Sequence, residues 1–359
     1  MWEAYQRLGS MRKVAAELGV AHSTAQKWIN RRLIEESLSP GIRDALAKTG
    51  ISPDHARFGY RRVKQDDGSF NTVMWKIPEP PPENAAERIR EALEGMDAAA
   101  LIPAPTDADS DLLRLVGIAD LHLGLQASAA ETGESYNRPV AMQRARAAVS
   151  SLLQGPTAST LVLLFAGDTF HANDQTALTP KSKNVLDVDG SYFDALADGV
   201  QLAAECVEMG ALTHERVEVV ILPGNHDPAS ALALMFALAE RYRDNPRIHV
   251  ERSPALMWAM SWGICLLGAH HGHDAKPEDL AHSLAEHPDW SACRYRYMKT
   301  GHRHKYATMM IGSVEWESMA CVTSRDAWAA GRSFVTRPAV RASTYHKRRG
   351  EVFRATVNL

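Results

Sequence analysis

The sequence predicts an α/β fold over its last two thirds, preceded by a small helical module. Four apolar runs of strand length, residues 112–119, 160–166, 217–222 and 264–268, each end in a short polar motif. The motifs are Asp120-Leu121-His122, Gly167-Asp168-Thr169-Phe170-His171, Gly224-Asn225-His226-Asp227 and His270-His271-Gly272-His273. Continuous apolar runs of this length read as strands buried on both faces, so side chains at their ends converge on one edge of a sheet. At the start of the chain, residues 11–20 read instead as a short helix that stops at Gly19.

After that helix, Ser23-Thr24-Ala25-Gln26 has the N-cap spacing of a new helix reaching Arg32. With Val14, Leu18, Val20, Ala25, Trp28 and Ile29 as its core, residues 1–38 form the expected helix-turn-helix module. Its second helix would enter the DNA major groove, leaving His22, Thr24, Gln26, Lys27 and Arg31 as candidate DNA contacts; packing alone also produces this pattern. Residues 39–77 hold a small hairpin, Asp67-Gly68 being a favoured turn pair between residues 58 and 76. Residues 78–111, rich in proline and acids, read as a linker, and residues 112–359 as the catalytic domain.

A fifth motif, Gly301-His302-Arg303-His304, completes a ligand set suited to two divalent ions about 3.5–4 Å apart, which need an anionic bridge. Asp168 is the natural bridge, and Gly167 lets the backbone approach without a Cβ clash. Asp120 and His122, two apart at the end of an extended strand, project to one side and can grip one ion together, while His302 and His304, with the same spacing, could each serve a different metal. Asn225 supplies a neutral oxygen, while His226 is better placed as a proton donor. Alternation puts His270 and His271 on opposite faces, so only one reaches the site; His271 is our choice, with His273 as a substrate-side or solvent group. Any one fragment is more often a turn or a surface pair, but five in this order share one chemistry.

The chain has 359 residues, a net charge of −3 and four cysteines without paired spacing, and no run is apolar for long enough to span a bilayer. We expect reduced cysteines, no membrane partner and a cytoplasmic protein, in the bacterial host cytoplasm if phage-encoded. Arg294, Arg296, Lys299, Arg303 and Lys305 surround the last motif without an acid, a run that suits a polyanion or simply a solvated surface. The polar segment between His171 and Tyr192 is expected as a long loop at the site mouth, and residues 230–242 as a core-packing helix.

From about Leu112 onward the motif set resembles the calcineurin-like metallophosphoesterase superfamily. Within it, His171 after Gly-Asp-x-Phe and the His302-x-His304 ending are most similar to the nuclease subunit of the double-strand-break repair exonuclease. Phage and prophage DNA-repair-exonuclease-like proteins share a loop similar to Thr179-Pro180-Lys181-Ser182 followed by Leu186-Asp187-Val188-Asp189-Gly190. The resemblance implies a four-layer α/β/β/α metallophosphoesterase sandwich holding two Mn²⁺, with Mg²⁺, Fe²⁺ or Zn²⁺ as alternatives. It implies Asp120, His122, Asp168 and His304 on the first ion, and Asp168, Asn225, His271 and His302 on the second. His226 would protonate the leaving oxygen, oriented by Asp227, and His171 would steady a phosphate or its sugar. The expected function is hydrolysis of DNA phosphodiesters by metal-hydroxide attack, in phage or prophage DNA metabolism or repair. A phosphomonoesterase or cyclic-nucleotide phosphodiesterase, and a non-enzymatic DNA-binding regulator, are the alternatives. Oligomeric state stays open, a homodimer included.

Overall fold

The computed structural model of this chain describes residues 1–8, 11–20, 58–64, 70–76, 102–155, 157–325, 330–332 and 337–359. It divides into two units, Met1–Arg88 and Ile89–Leu359. In the first, α1 (Trp2–Leu8) and α2 (Met11–Leu18) pack through Ala4, Val14 and Ala15, with Trp2, Tyr5, Leu8 and Val20 around them. The chain leaves α2 at Gly19, φ +64°, where Gly19 N–H donates to Ala16 O at 3.4 Å and Val20 N–H to Ala15 O at 3.1 Å. This paired closure satisfies carbonyls that the helix end would otherwise orphan. The second helix of the expected helix-turn-helix, with Thr24, Gln26, Lys27 and Arg31, lies outside the described residues. Strands β1 (Phe58–Lys64) and β2 (Phe70–Lys76) pair antiparallel with Lys64 opposite Phe70. Asp67-Gly68, and residues 78–101 of the expected linker, also lie outside the described residues.

The larger unit is built on two sheets. The six-stranded sheet has the order β13 (Gly350–Asn358), β12 (Ala339–His346), β3 (Asp109–Ile118), β4 (Ala158–Phe165), β5 (Arg216–Ile221), β6 (Ile248–Val250). Strands β3 to β6 are mutually parallel, whereas β12 is antiparallel to β3 and β13 to β12. Parallel neighbours need a crossover, and helices supply it. They are α4 (Arg138–Leu152), α5 (Tyr192–Thr213) and α6 (Pro228–Arg241), α3 being the single turn Ala129–Thr132 before α4. Helix starts match their sequences: the Asn137 side chain accepts from Val140 N, and Ser191 with Asp194 forms a reciprocal cap on α5.

The second sheet has five strands, β10 (Ala307–Ile311), β11 (Val314–Ser318), β9 (Tyr295–Thr300), β8 (Cys265–His270) and β7 (Met257–Trp262). Here β8, β9 and β11 run parallel, with β7 and β10 antiparallel on the flanks.

Alternation along the apolar strands sets the layering. Leu161, Leu163 and Phe165 of β4 join Val116 and Ile118 in a core shared with α4, α5 and α6. Val162 and Leu164 join Leu113 and Leu115 in a second core against Cys265, Leu267 and Tyr297 of the other sheet. On the far side of that sheet Leu266, Met298 and Trp316 meet Leu280, Ala281 and Leu284 of α7 (Pro277–Ala285). Helix, sheet, sheet and helix thus stack as the four-layer sandwich expected from the sequence. No helix among the described residues is long and apolar enough to cross a membrane.

Two expectations need correction. In α6, Leu234, Leu238 and Ala239 are buried, but Phe236 is 59% exposed and belongs to the surface. The basic run after Cys293 is not one rim. Lys299 is buried in an ion pair with Glu317 at 2.5 Å, and Arg296 stacks on Trp290 and donates to Ser313. Strand β9 runs from Tyr295 to Thr300, so only Arg303 and Lys305 sit beside the last motif. Near the C-terminus, Arg354 pairs with Glu351 and Glu315, and Arg348 with Asp111.

Candidate metal centre

Five loops leave the C-terminal ends of β3, β4, β5, β8 and β9 on one edge of the sandwich, and each carries one of the motifs. The fifth strand was not legible as an apolar run, because Arg296 and Lys299 interrupt Tyr295–Thr300. The loops are zipped together by main-chain bonds. Asp120 N–H donates to Gly167 O at 3.2 Å, His122 N–H to Asp168 O at 2.9 Å, and Gly301 N–H to His271 O at 2.8 Å. From the chain beyond β11, Val322 N–H reaches Ala119 O and Thr323 N–H reaches Asp120 O, both at 3.1 Å.

Asp120, His122, Asp168, His302 and His304 all lie in the left-handed region, with φ of 51°, 45°, 49°, 66° and 50°. For a residue with a Cβ this costs on the order of 1–3 kcal/mol, and it persists only where surroundings over-determine it. Here the loop bonds just described do so. Close approach also excludes side chains at two glycines. A Cβ on Gly224 would lie 2.1 Å from Asp168 Oδ1, and one on Gly167, φ +87°, would lie 2.4 Å from His271 Nδ1.

Two groups of donor atoms result, each with its atoms within 4.8 Å of one another: Asp120, His122 and His304, and Asp168, His271 and His302. His122 Nε2 is 3.2 Å from His304 Nε2, which is 3.2 Å from Asp120 Oδ1. In the other group His271 Nε2 lies 3.1 Å from Asp168 Oδ2 and 3.2 Å from Asn225 Oδ1. Asp168 Oδ2 also lies 3.9 Å from His122 Nε2, so this carboxylate stands between the groups. Ligands held at about 2.0–2.2 Å by one ion sit roughly 3 Å from each other, so these separations fit a shared divalent cation. Mixed imidazole and carboxylate donors suit Zn²⁺, Fe²⁺ or Mn²⁺.

His271 is fully buried and aims at Asp168, its Nδ1 bonded to Ala166 O at 2.8 Å, so that Nε2 is left for the centre. His270 turns away, its Nδ1 accepting from Gly272 N at 2.8 Å. The His273 ring stacks on His270 and stands 5.3 Å from the His271 ring.

A third cluster joins His122, His171 and His226. His122 Nδ1 meets His171 Nδ1 at 3.2 Å, and His226 Nδ1 bonds His171 O at 2.9 Å. His171 is buried, so its ring braces His122 and its carbonyl fixes His226. Asp227, expected to orient His226, does something else. Its Oδ1 accepts from Asp168 N at 3.2 Å and Gly224 N at 2.8 Å, and its Oδ2 from Phe170 N at 3.1 Å. A fully buried carboxylate accepting from three amides is committed to the main chain and holds the second and third loops in register. A buried anchor of this kind leaves no mark in sequence spacing, because its partners are main-chain amides.

Electrostatics follow from crowding. Burial opposes charge on His271, but the Asp168 carboxylate outweighs it and pushes this imidazole up to about 10. Burial also disfavours the Asp168 charge, yet His271 and the neighbouring histidines hold it well below the usual carboxylate range. Burial pushes His171 down to about 3, with His226 adding to the effect, and drives His122 well below its ordinary value. Burial and then the Asp168 charge push Asp227 up to about 6. An anionic bridge ringed by histidines, two of them, His122 and His171, pushed by burial toward the uncharged form, is arranged for cations.

No family model matches this chain, and no curated protein does. Solved structures give low-scoring similarities. A conserved uncharacterized protein, a predicted phosphoesterase from Streptococcus pneumoniae TIGR4, aligns at 10% identity over 70% of this chain and 100% of its own, TM-score 0.31. The E. coli phosphoesterase Yfce aligns at 15% identity over 67% and 98%, TM-score 0.35. Vps29 from Entamoeba histolytica, complexed with zinc, aligns at 13% identity over 68% and 98%, TM-score 0.28. At such identities and scores, chemistry has to be read from this chain's own residues.

Proposed function

We propose that the protein is a metal-dependent phosphodiesterase that binds two divalent ions and hydrolyses DNA, a nuclease of the phage or prophage repair type. The observation that supports it most is the placement of the Asp168 carboxylate between two three-residue donor groups. Asp120, His122 and His304 would hold one ion and Asn225, His271 and His302 the other, with Asp168 touching both. Held there, two such ions would supply the Lewis acidity that activates water and neutralises charge on phosphoryl oxygens.

The chain's own groups supply the rest. His226 is half-buried, with Nδ1 tied to His171 O, which leaves Nε2 as the proton donor to the departing oxygen. Its own amide donates to Asp168 Oδ1 at 2.8 Å, which locks the proton donor to the bridging carboxylate. Asp227 acts as a positioning residue, through the amides of Asp168, Phe170 and Gly224. An N-terminal module over residues 1–38 would deliver the enzyme to DNA in the cytoplasm.

The test is a substrate panel with added Mn²⁺: nitrophenyl monoester, nitrophenyl diester, single-stranded and duplex DNA. The reading expects DNA cleavage abolished by chelator and restored by metal. Hydrolysis of the monoester alone would replace it with a phosphomonoesterase. Deleting residues 1–32 should weaken duplex binding and flatten its salt dependence, as fewer phosphate contacts release fewer counterions.

A further inference from the structure

Between the bridging loop and α5 the chain makes a small tongue. Thr179 N–H donates to Asn184 O at 2.9 Å, Lys183 N–H to Thr179 O at 3.0 Å, and Leu186 N–H to Ala177 O at 2.9 Å. Leu178 and Val185 form a bridge across it. Its root is pinned close to the centre, because Gln126 N–H donates to Asp187 O at 3.0 Å and Asp189 N–H to Gly124 O at 2.8 Å, just past His122. At the tip, Lys181 Nζ reaches both oxygens of Asp274, at 3.0 and 2.9 Å.

Asp274 directly follows His273, whose ring lies 5.3 Å from His271 and 6.3 Å from the exposed His302. The pair therefore lies beside the donor group on the His271 and His302 side. It is solvent-exposed, 79% for the Lys181 side chain and 68% for Asp274. Exposed ion pairs contribute little to stability, so a phosphate can take the place of Asp274 at small cost.

We infer that Lys181 is a phosphate clamp held in reserve by Asp274: on substrate binding its ammonium leaves that carboxylate for a non-scissile phosphate of the polynucleotide strand. This rests on the phosphodiesterase reading and adds the strand beyond the cleaved bond as what the site recognises. Asp274 then acts as a competitor, repelling the strand as well as occupying the lysine. Partners in a purely structural pair would lose function together; here they oppose each other.

The test measures the ratio of kcat/KM on a single-stranded oligonucleotide to that on a bis-nitrophenyl diester, which lacks a neighbouring phosphate, with Mn²⁺ present. Lys181→Ala is expected to lower this ratio about threefold to tenfold, the effect of one lost charge-assisted contact. Asp274→Asn is expected to raise it, and asparagine tolerates the left-handed backbone at this position, φ 56°. A second readout needs no catalysis. With metal removed by chelator, a fluorescent oligonucleotide should bind Lys181→Ala with a log Kd against log salt slope smaller by about 0.7. If both variants move the ratio in the same direction, or neither moves it, the clamp is refuted while the phosphodiesterase reading stands. If the wild-type chain hydrolyses neither substrate, both fall.

Discussion

Replacing Asp227 separates two accounts of the residue after His226. In one, a catalytic dyad, Asp227 orients the imidazole, and its loss would reduce turnover without touching stability. In the structure its carboxylate serves Asp168 N and Gly224 N through Oδ1 and Phe170 N through Oδ2. Asparagine and alanine both remove the charge, so the repulsion from Asp168 cancels when the two variants are compared. Asparagine can keep Oδ1 for two amides, whereas alanine orphans them. Each buried unsatisfied amide costs about 1–3 kcal/mol, which places Asp227→Asn above Asp227→Ala by about 2–6 kcal/mol. At roughly 2–4 °C per kcal/mol for a unit of this size, the two should melt at least about 4 °C apart. Thermal unfolding by circular dichroism in chelator measures this without any contribution from metal. Calorimetric Mn²⁺ titration should then show weaker binding to Asp227→Ala, because the bridging loop has lost its anchor. Equal melting temperatures for the two variants, with loss confined to turnover, would refute the anchor and restore the dyad.

Asp168→Ala should abolish binding of both ions, since its carboxylate stands between the two donor groups; metal analysis after gel filtration reads the stoichiometry, and two retained ions would overturn the assignment. His226→Ala should leave metal content near wild type and lower turnover on DNA by ~10²–10⁴-fold, with a smaller loss on nitrophenyl diesters, whose leaving group needs little protonation. His271 carries a proton up to about pH 10 in the metal-free protein, so an incoming ion must displace it. Apparent metal affinity should therefore rise with pH through the neutral range, with protons released on binding. Calorimetry in buffers of different ionisation enthalpy detects that release, and buffer-independent heats would exclude it.

The sequence by itself determined the strands and the residue types gathered at their ends. Residues 160–166 and 217–222 are apolar at every or nearly every position because both faces of β4 and β5 are covered, and a polar motif after each can only sit at the sheet edge. Residue types therefore named the donors before their contacts were known. Residue spacing did not divide those donors into groups; the family resemblance implied the division, and tertiary structure brings it about, because Asp120 and His304 are far apart in the chain and meet only when the two sheets stack. It also revealed β9 as the fifth strand of the site. Lys299 breaks its apolar pattern, and pairing with the facing Glu317 makes burying that charge tolerable. Asp227 was misread for the same physical reason. A carboxylate beside a histidine suggests a dyad, but burial among three main-chain amides makes it an anchor, and amide partners carry no sequence signal.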